Sequence, residues 1–350
     1  MHVIVRSSQY QDERQSFGGR LLQWLLLRND VGISDIRSAM KDLYHAVSDF
    51  VRKDLSWPIY GITMLFLAVA MFINYGSTFD LNLFDLRQGF EARAGYYGLL
   101  FGGTYFATAI LCSFGSEKPF LKDWRFWVIG AAFVFIATIP KLHILKLIDV
   151  RSQDWDLKQM VFVSRSHFFV HQMVISLIGL GIVKLLFHKW VDFDYGFRFE
   201  WKTLKPYFFV LMLVAPLIIG ASFLPDFQRA YPQYKPWNYP DVFGFSIGSQ
   251  AAIFEMCYST GFVAVEAIFR GALAMTMIKI MGPRAVLSMA SFYCVFHFGK
   301  PAGEAVGAFF GGYALGVLAI HSRSVLGGLI VHLGVAMLME TMGYLHFYSN

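Results

Sequence analysis

The chain has 350 residues, of which 56% are hydrophobic, 17% aromatic and only 15% charged. That apolar share is above, and the charged share below, what soluble domains carry, which excludes a soluble globular fold and implies an all-α polytopic membrane helix bundle. The formal net charge of +6 does not signify nucleic acid, because no Lys/Arg-rich run and no aromatic-basic interleaving accompanies it, and membrane topology accounts for the excess.

Asp12 and Glu13, with no apolar core before Leu21, argue against a cleavable signal peptide at the start. Residues 1–56 are a polar N-terminal region in which Ser34 to Lys53 has helical periodicity. Ser34 suits an N-cap, while Ile36, Met40, Leu43, Val47 and Phe50 share one face and Arg37, Lys41, Arg52 and Lys53 decorate the rest. The pattern fits either an amphipathic helix on the cytoplasmic headgroups or a helical hairpin packed on the membrane domain.

From Trp57 onward, apolar runs of bilayer-spanning length predict about nine spans, near 57–75, 96–114, 126–147, 167–187, 207–224, 248–278, 284–298, 303–320 and 325–346. The seventh is short enough for a tilted or partly re-entrant helix. A cytoplasmic N-terminus leaves roughly twice as many Lys and Arg inside as outside, although Lys141, Lys146, Arg151, Lys158 and Arg165 then lie outside. No internal symmetry of the kind that marks transporters is visible. Residues 57–247 are expected to form an additional membrane-spanning region and residues 248–350 a membrane core. Between them, 225–247 holds Pro225, Pro232, Pro236 and Pro240 among Tyr231, Tyr234, Trp237 and Tyr239, which predicts an ordered, non-helical aromatic loop at the membrane interface. Cys112, Cys257 and Cys294 all fall in apolar runs and suggest neither a disulfide framework nor a Cys-based metal site.

The charged residues of the last hundred positions are the candidates for chemistry. Glu266 and Arg270 sit four apart in an apolar helix, within pairing reach, at a depth where an ionisable group is costly without a partner or a task. His297 ends one apolar run and His332 lies inside another. A carboxylate and two imidazoles can activate water and stabilise an oxyanion, and the same donors suit a divalent cation such as zinc in a two-His, one-carboxylate site. Gly303, Gly307 and Gly311, with Gly312 and Gly316 in a second register, are expected to let helix backbones approach closely.

Over residues 255–340 the pattern resembles the CAAX protease and bacteriocin-processing membrane endopeptidases, which include the type II CAAX prenyl proteases. Their Glu-Glu-x-x-x-Arg motif, commonly followed by Gly, is matched by Glu266, Phe269, Arg270 and Gly271, with Val265 at the first Glu. Phe-x-x-x-His is matched conservatively by Tyr293 and His297, and His-x-x-x-Asn by His332, with Ala336 at the Asn. The resemblance implies an intramembrane endopeptidase of a bacterial plasma membrane, acting on a peptide or protein substrate held near a membrane anchor, with no nucleic-acid partner. Glu266, His297 and His332 would be catalytic, with Arg270 and Tyr293 organising the site. Because the first Glu activates the attacking water in the family, Val265 leaves three outcomes: Glu266 serves in a rearranged site, another acid such as Glu255, Glu304 or Glu340 substitutes, or the protein is a catalytically inactive membrane scaffold, immunity or secretion partner. A structural or interfacial role is expected for each of those three acids.

Overall fold

The computed structural model describes residues 33–76, 89–114, 116, 118–142, 148–149, 153–191 and 194–349, with only the backbone of 33–37, 39 and 202. The signal-peptide reading and the basic residues Lys146 and Arg151 lie outside the described residues. The chain divides into two compact units, Met1–His45 and Ala46–Asn350. Among the described residues, every helix long and apolar enough to cross a membrane belongs to the second unit.

The described residues form helices and no strand. In chain order they are α1 (Ile33–Asp54), α2 (Trp57–Gly76), α3 (Phe90–Tyr97, a π-helical stretch Gly98–Gly103, then Thr104–Ser113), α4 (Trp124–Leu142) and α5 (Leu157–Leu186). They continue with α6 (Trp201–Ala221), α7 (Pro225–Ala230), α8 (Ile247–Met281), α9 (Ala285–Phe296), α10 (Ala302–Ser322) and α11 (Leu326–Ser349). Seven of these, α2, α4, α5, α6, α8, α10 and α11, are long and apolar enough to cross a membrane. Each of the nine expected spans has a helix. The two that are not among the seven are α3, which contains a π-helical stretch, and α9, which has 12 residues. The protein is a polytopic membrane helix bundle.

Three features position the site. α1 matches the periodicity of the sequence, and its last turns pack on the bundle: Val47 and Phe50 join the core, and Asp54 accepts a hydrogen bond from Tyr60 at 2.5 Å and lies 3.6 Å from Arg284. The stretch 225–247 corrects the expectation of an irregular loop, since it contains α7 and the short turns Pro236–Asn238 and Val242–Gly244. Pro225 occupies the first turn of α7, where its fixed φ pre-organises a helix instead of breaking one. This segment is nonetheless ordered and aromatic. Trp237 stacks on Phe347 at 3.6 Å, and Glu340 of α11 accepts the Gln233 backbone N–H at 3.0 Å.

The third feature is α8, the most enclosed of the spanning helices. Apart from Glu255, Glu266, Arg270 and Lys279 it carries no charge, and its apolar residues fall on all sides, as in a helix surrounded by others. Within it Ala267–Thr276 winds as a π-helix, and the Thr276 hydroxyl donates to the Gly271 carbonyl at 3.1 Å. A side chain at Gly271 would collide with the backbone carbonyl of Tyr195, itself held at φ 47° in the loop before α6. The glycine after Arg270 is therefore required by packing: only a bare backbone lets the 194–197 loop reach α8.

In an open helix, Gly→Ala stabilises by roughly 0.5–1 kcal/mol; here the sign reverses. Gly271→Ala is expected to cost about 1–3 kcal/mol through overpacking, measured as a lower thermal midpoint of the detergent-solubilised protein. An unchanged or higher midpoint would show that the Tyr195 loop yields freely.

Candidate active site

Glu266 closes the α-helical part of α8 and Arg270 lies within its π-helical part. Both are withdrawn from solvent, at 0% and 1% exposure. Arg270 Nη1 stands 3.3 Å from Glu266 Oε1, and the guanidinium lies over the Tyr293 ring, 4.4 Å from its centroid. Two buried opposite charges, with a π-face beneath the cation, offset desolvation that neither would survive alone.

Glu266 also reaches α11. His332 Nδ1 is 3.1 Å from Glu266 Oε1, and His332 Nε2 is 3.0 Å from the Tyr293 hydroxyl. A carboxylate only accepts, so Nδ1 carries the proton and donates it; Nε2 then accepts from Tyr293. Gly328 makes this contact sterically feasible, because a Cβ there would lie 2.5 Å from Glu266 Oε2. Arg270, Glu266, His332 and Tyr293 thus form a closed ring across α8, α11 and α9.

His297 caps the C-terminus of α9. Its Nδ1 is 2.9 Å from the Tyr293 backbone carbonyl, so Nδ1 carries a proton there too and Nε2 is left as an acceptor. That nitrogen stands 4.0 Å from Glu304 Oε1, at the start of α10. Glu304 in turn accepts from Lys300 Nζ at 2.6 Å and from the Tyr231 hydroxyl at 2.6 Å.

These side chains converge on a cavity of about 410 Å3. Arg270, Tyr293, His297, Glu304 and His332 line it, with aliphatic walls from α6, α10 and α11. All the expected site residues are brought together, but Glu266 is not part of the cavity wall; it stands behind Arg270 and His332. Val265 packs into the main core and Ala336 into a second cluster. Glu340 is engaged with the 225–247 segment and is not among the cavity residues, nor is Glu255. Glu304, by contrast, reaches the cavity beside His297. Tyr231 and Lys300, its two hydrogen-bond partners, were not foreseen as site residues; the only sequence signal was the four-residue spacing of Lys300 and Glu304 across Pro301.

The glycine expectation is corrected in one register. Gly303, Gly307 and Gly311 all face the cavity, and a Cβ at any of them would meet nothing within 4 Å. Gly312 and Gly316 are the packing glycines, where a Cβ would lie 2.7 Å from the Tyr293 ring and 2.5 Å from Met289. Residues four apart share one helix face, and that of Gly303 is turned to the cavity while that of Gly312 is turned to α9. A metal held by His297, His332 and Glu266 does not fit the donors. Both His332 nitrogens are engaged within the ring, and among the described residues no three His, Cys, Asp or Glu side chains are gathered as a metal would require.

Removing one member of a buried ion pair leaves the other uncompensated, at about 3–5 kcal/mol. Glu266→Gln is expected to lower the thermal midpoint sharply, and Glu266→Gln combined with Arg270→Met to recover more than half of the loss. A double variant as unstable as the single one would mean that the uncompensated Arg270 charge is not the source of the loss.

Residues 249–338 match the family model described as Type II CAAX prenyl endopeptidase Rce1-like, the same part of the chain that carries the Glu266, His297 and His332 motifs. No curated protein and no solved structure matches the chain.

Proposed function

We propose that this integral membrane protein, whose residues 249–338 carry the Rce1-like core, is an intramembrane endopeptidase that cuts a peptide bond close to a lipid or apolar anchor. The observation that carries the reading is the convergence of His297, His332, Tyr293 and Arg270 on one cavity. Its size falls in the range of small-ligand pockets, and its walls divide into a polar end and a long aliphatic side. An extended peptide would present its scissile carbonyl to the polar end while its anchor lies along the glycine-lined face of α10.

In this mechanism His297 acts as general base. Its Nε2 lone pair takes a proton from the attacking water, the water oxygen bonds to the carbonyl carbon, and the carbonyl electron pair moves to oxygen. Arg270 supplies the positive side of the cavity where that oxyanion is stabilised, and His332, with Nδ1–H on Glu266 and Nε2 accepting from Tyr293, holds the ring that positions Arg270. When the C–N bond breaks, His297 returns its proton to the leaving amine. Glu266 is the site-organising carboxylate: it fixes the His332 tautomer and neutralises Arg270 without touching the substrate. The positive-inside balance supports a cytoplasmic N-terminus, and a bacterial plasma membrane is the setting implied by the resemblance.

A second reading, a non-catalytic membrane scaffold, immunity or secretion partner, draws on one observation: Val265 stands where the family has its water-activating Glu, and it is buried in core packing. One assay separates the two. Purified protein in lipid nanodiscs is given two quenched fluorescent peptides, one with a farnesylated Cys followed by three residues and one joined to an apolar helix. Cleavage of either at a single bond is expected, with His297→Ala lowering kcat by at least about 100-fold and KM little changed. Silence of the wild-type protein on both would leave the scaffold reading.

A further inference from the structure

Three observations isolate one carboxylate. Glu266 is engaged by Arg270 and His332 and lies behind the cavity wall. Position 265, where the family motif has its first Glu, carries a valine packed in the core. Of the two carboxylates that do line the cavity, Asp226 turns an oxygen back to the N–H of Phe227 at 2.9 Å. The other is Glu304, on a different helix from the motif that normally supplies the acid.

Its relation to His297 is chemically specific. His297 Nδ1–H donates to the Tyr293 carbonyl, which leaves Nε2 as an acceptor, and Nε2 faces Glu304 Oε1, also an acceptor, across 4.0 Å. Two acceptors at that separation are too far apart for a direct hydrogen bond and share no proton of their own. A species with two donor hydrogens would bridge them. For a water oxygen with bonds of about 2.8 Å to each, the angle between them is roughly 90°, within the range water tolerates. A water that donates both hydrogens in this way has its lone pairs free for the cavity, as a nucleophile requires.

We propose that Glu304 supplies the carboxylate missing at position 265, holding the attacking water together with His297. The inference rests on the endopeptidase reading and adds to it the residue that replaces the family's acid. Tyr231 donates to Glu304 Oε2 and Lys300 to Oε1, so the carboxylate is held from two sides with its second lone pair on Oε1 left for the water. The step balances as before: the water's O–H bond breaks, its proton goes to His297 Nε2, and its oxygen forms the new C–O bond. Glu304 remains ionised and stabilises the imidazolium until the proton passes to the leaving amine. Tyr231 belongs to the 225–247 segment, so that segment becomes a support of the catalytic carboxylate and not only an interfacial anchor.

The test uses the full-length protein in nanodiscs with whichever of the two anchored peptides the wild type cuts. Glu304→Gln keeps the volume and can still accept from Tyr231. It is expected to lower kcat by 100-fold or more, with KM within threefold and the thermal midpoint within 2–3 °C of wild type. Tyr231→Phe is expected to lower kcat by about 10-fold, in the range of losses on removing a supporting hydrogen bond. If the wild type cuts and Glu304→Gln retains activity within threefold, this inference fails while the endopeptidase reading stands. If the wild type cuts neither peptide, both fail together. Should Glu304→Gln prove unfolded, Glu304→Asp, which withdraws the carboxylate by one methylene, must lose at least 10-fold in kcat, and full activity of that variant would equally overturn the inference.

Discussion

The guanidinium of Arg270 is the constraint on which the rest of the site depends. A cation placed in the middle of a buried membrane helix is stable only where its surroundings are committed to it, and here Glu266 and the face of Tyr293 are both committed. Each of these in turn reaches His332, one at Nδ1 and one at Nε2. Satisfying one charge therefore fixes the relative placement of α8, α9 and α11 and sets the tautomer of an imidazole in the cavity wall. Burial makes the arrangement unforgiving, because every polar atom that loses its partner remains in a low-dielectric interior.

Around that ring, small residues decide distances. Gly271 admits the loop that precedes α6, Gly328 admits the Glu266 carboxylate, and Gly312 admits the Tyr293 ring. In a membrane, where hydrophobic collapse does not drive helices together, close approach of this kind sets which helices touch. The same residue type does the opposite on the adjacent face of α10. Gly303, Gly307 and Gly311 leave space unfilled, and that space is the cavity floor.

The division of labour among acids follows from this geometry. Glu266 keeps the motif position but is consumed by structure, neutralising one residue and orienting another. Glu340 is spent on the backbone of the proline-rich segment. Glu304 comes from the first turn of α10, beyond the motifs, and is delivered to His297 because the short connection 297–301 folds α10 back against the end of α9. Which carboxylate reaches the cavity is set by the packing of the helices and not by position in the motif.

Composition and periodicity by themselves determined that the chain is a helical membrane bundle, because the bilayer demands long apolar helices and those are written plainly in the residues. They also gave the helix of the N-terminal region, the nine apolar segments and the set of Glu266, Arg270, His297 and His332, whose intramembrane ionisable groups are conspicuous in one dimension, while Tyr293 entered only through the family resemblance. Only the tertiary structure decided that Glu266 stands behind the cavity, that Glu304 faces it, that one glycine register packs and the other opens, and that α7 starts at Pro225. These depend on which face a helix turns to its neighbours and on contacts between residues distant in the chain, such as Tyr231 with Glu304, 73 positions apart. Local pattern fixes that a residue lies on a helix; packing against the other helices fixes what it faces.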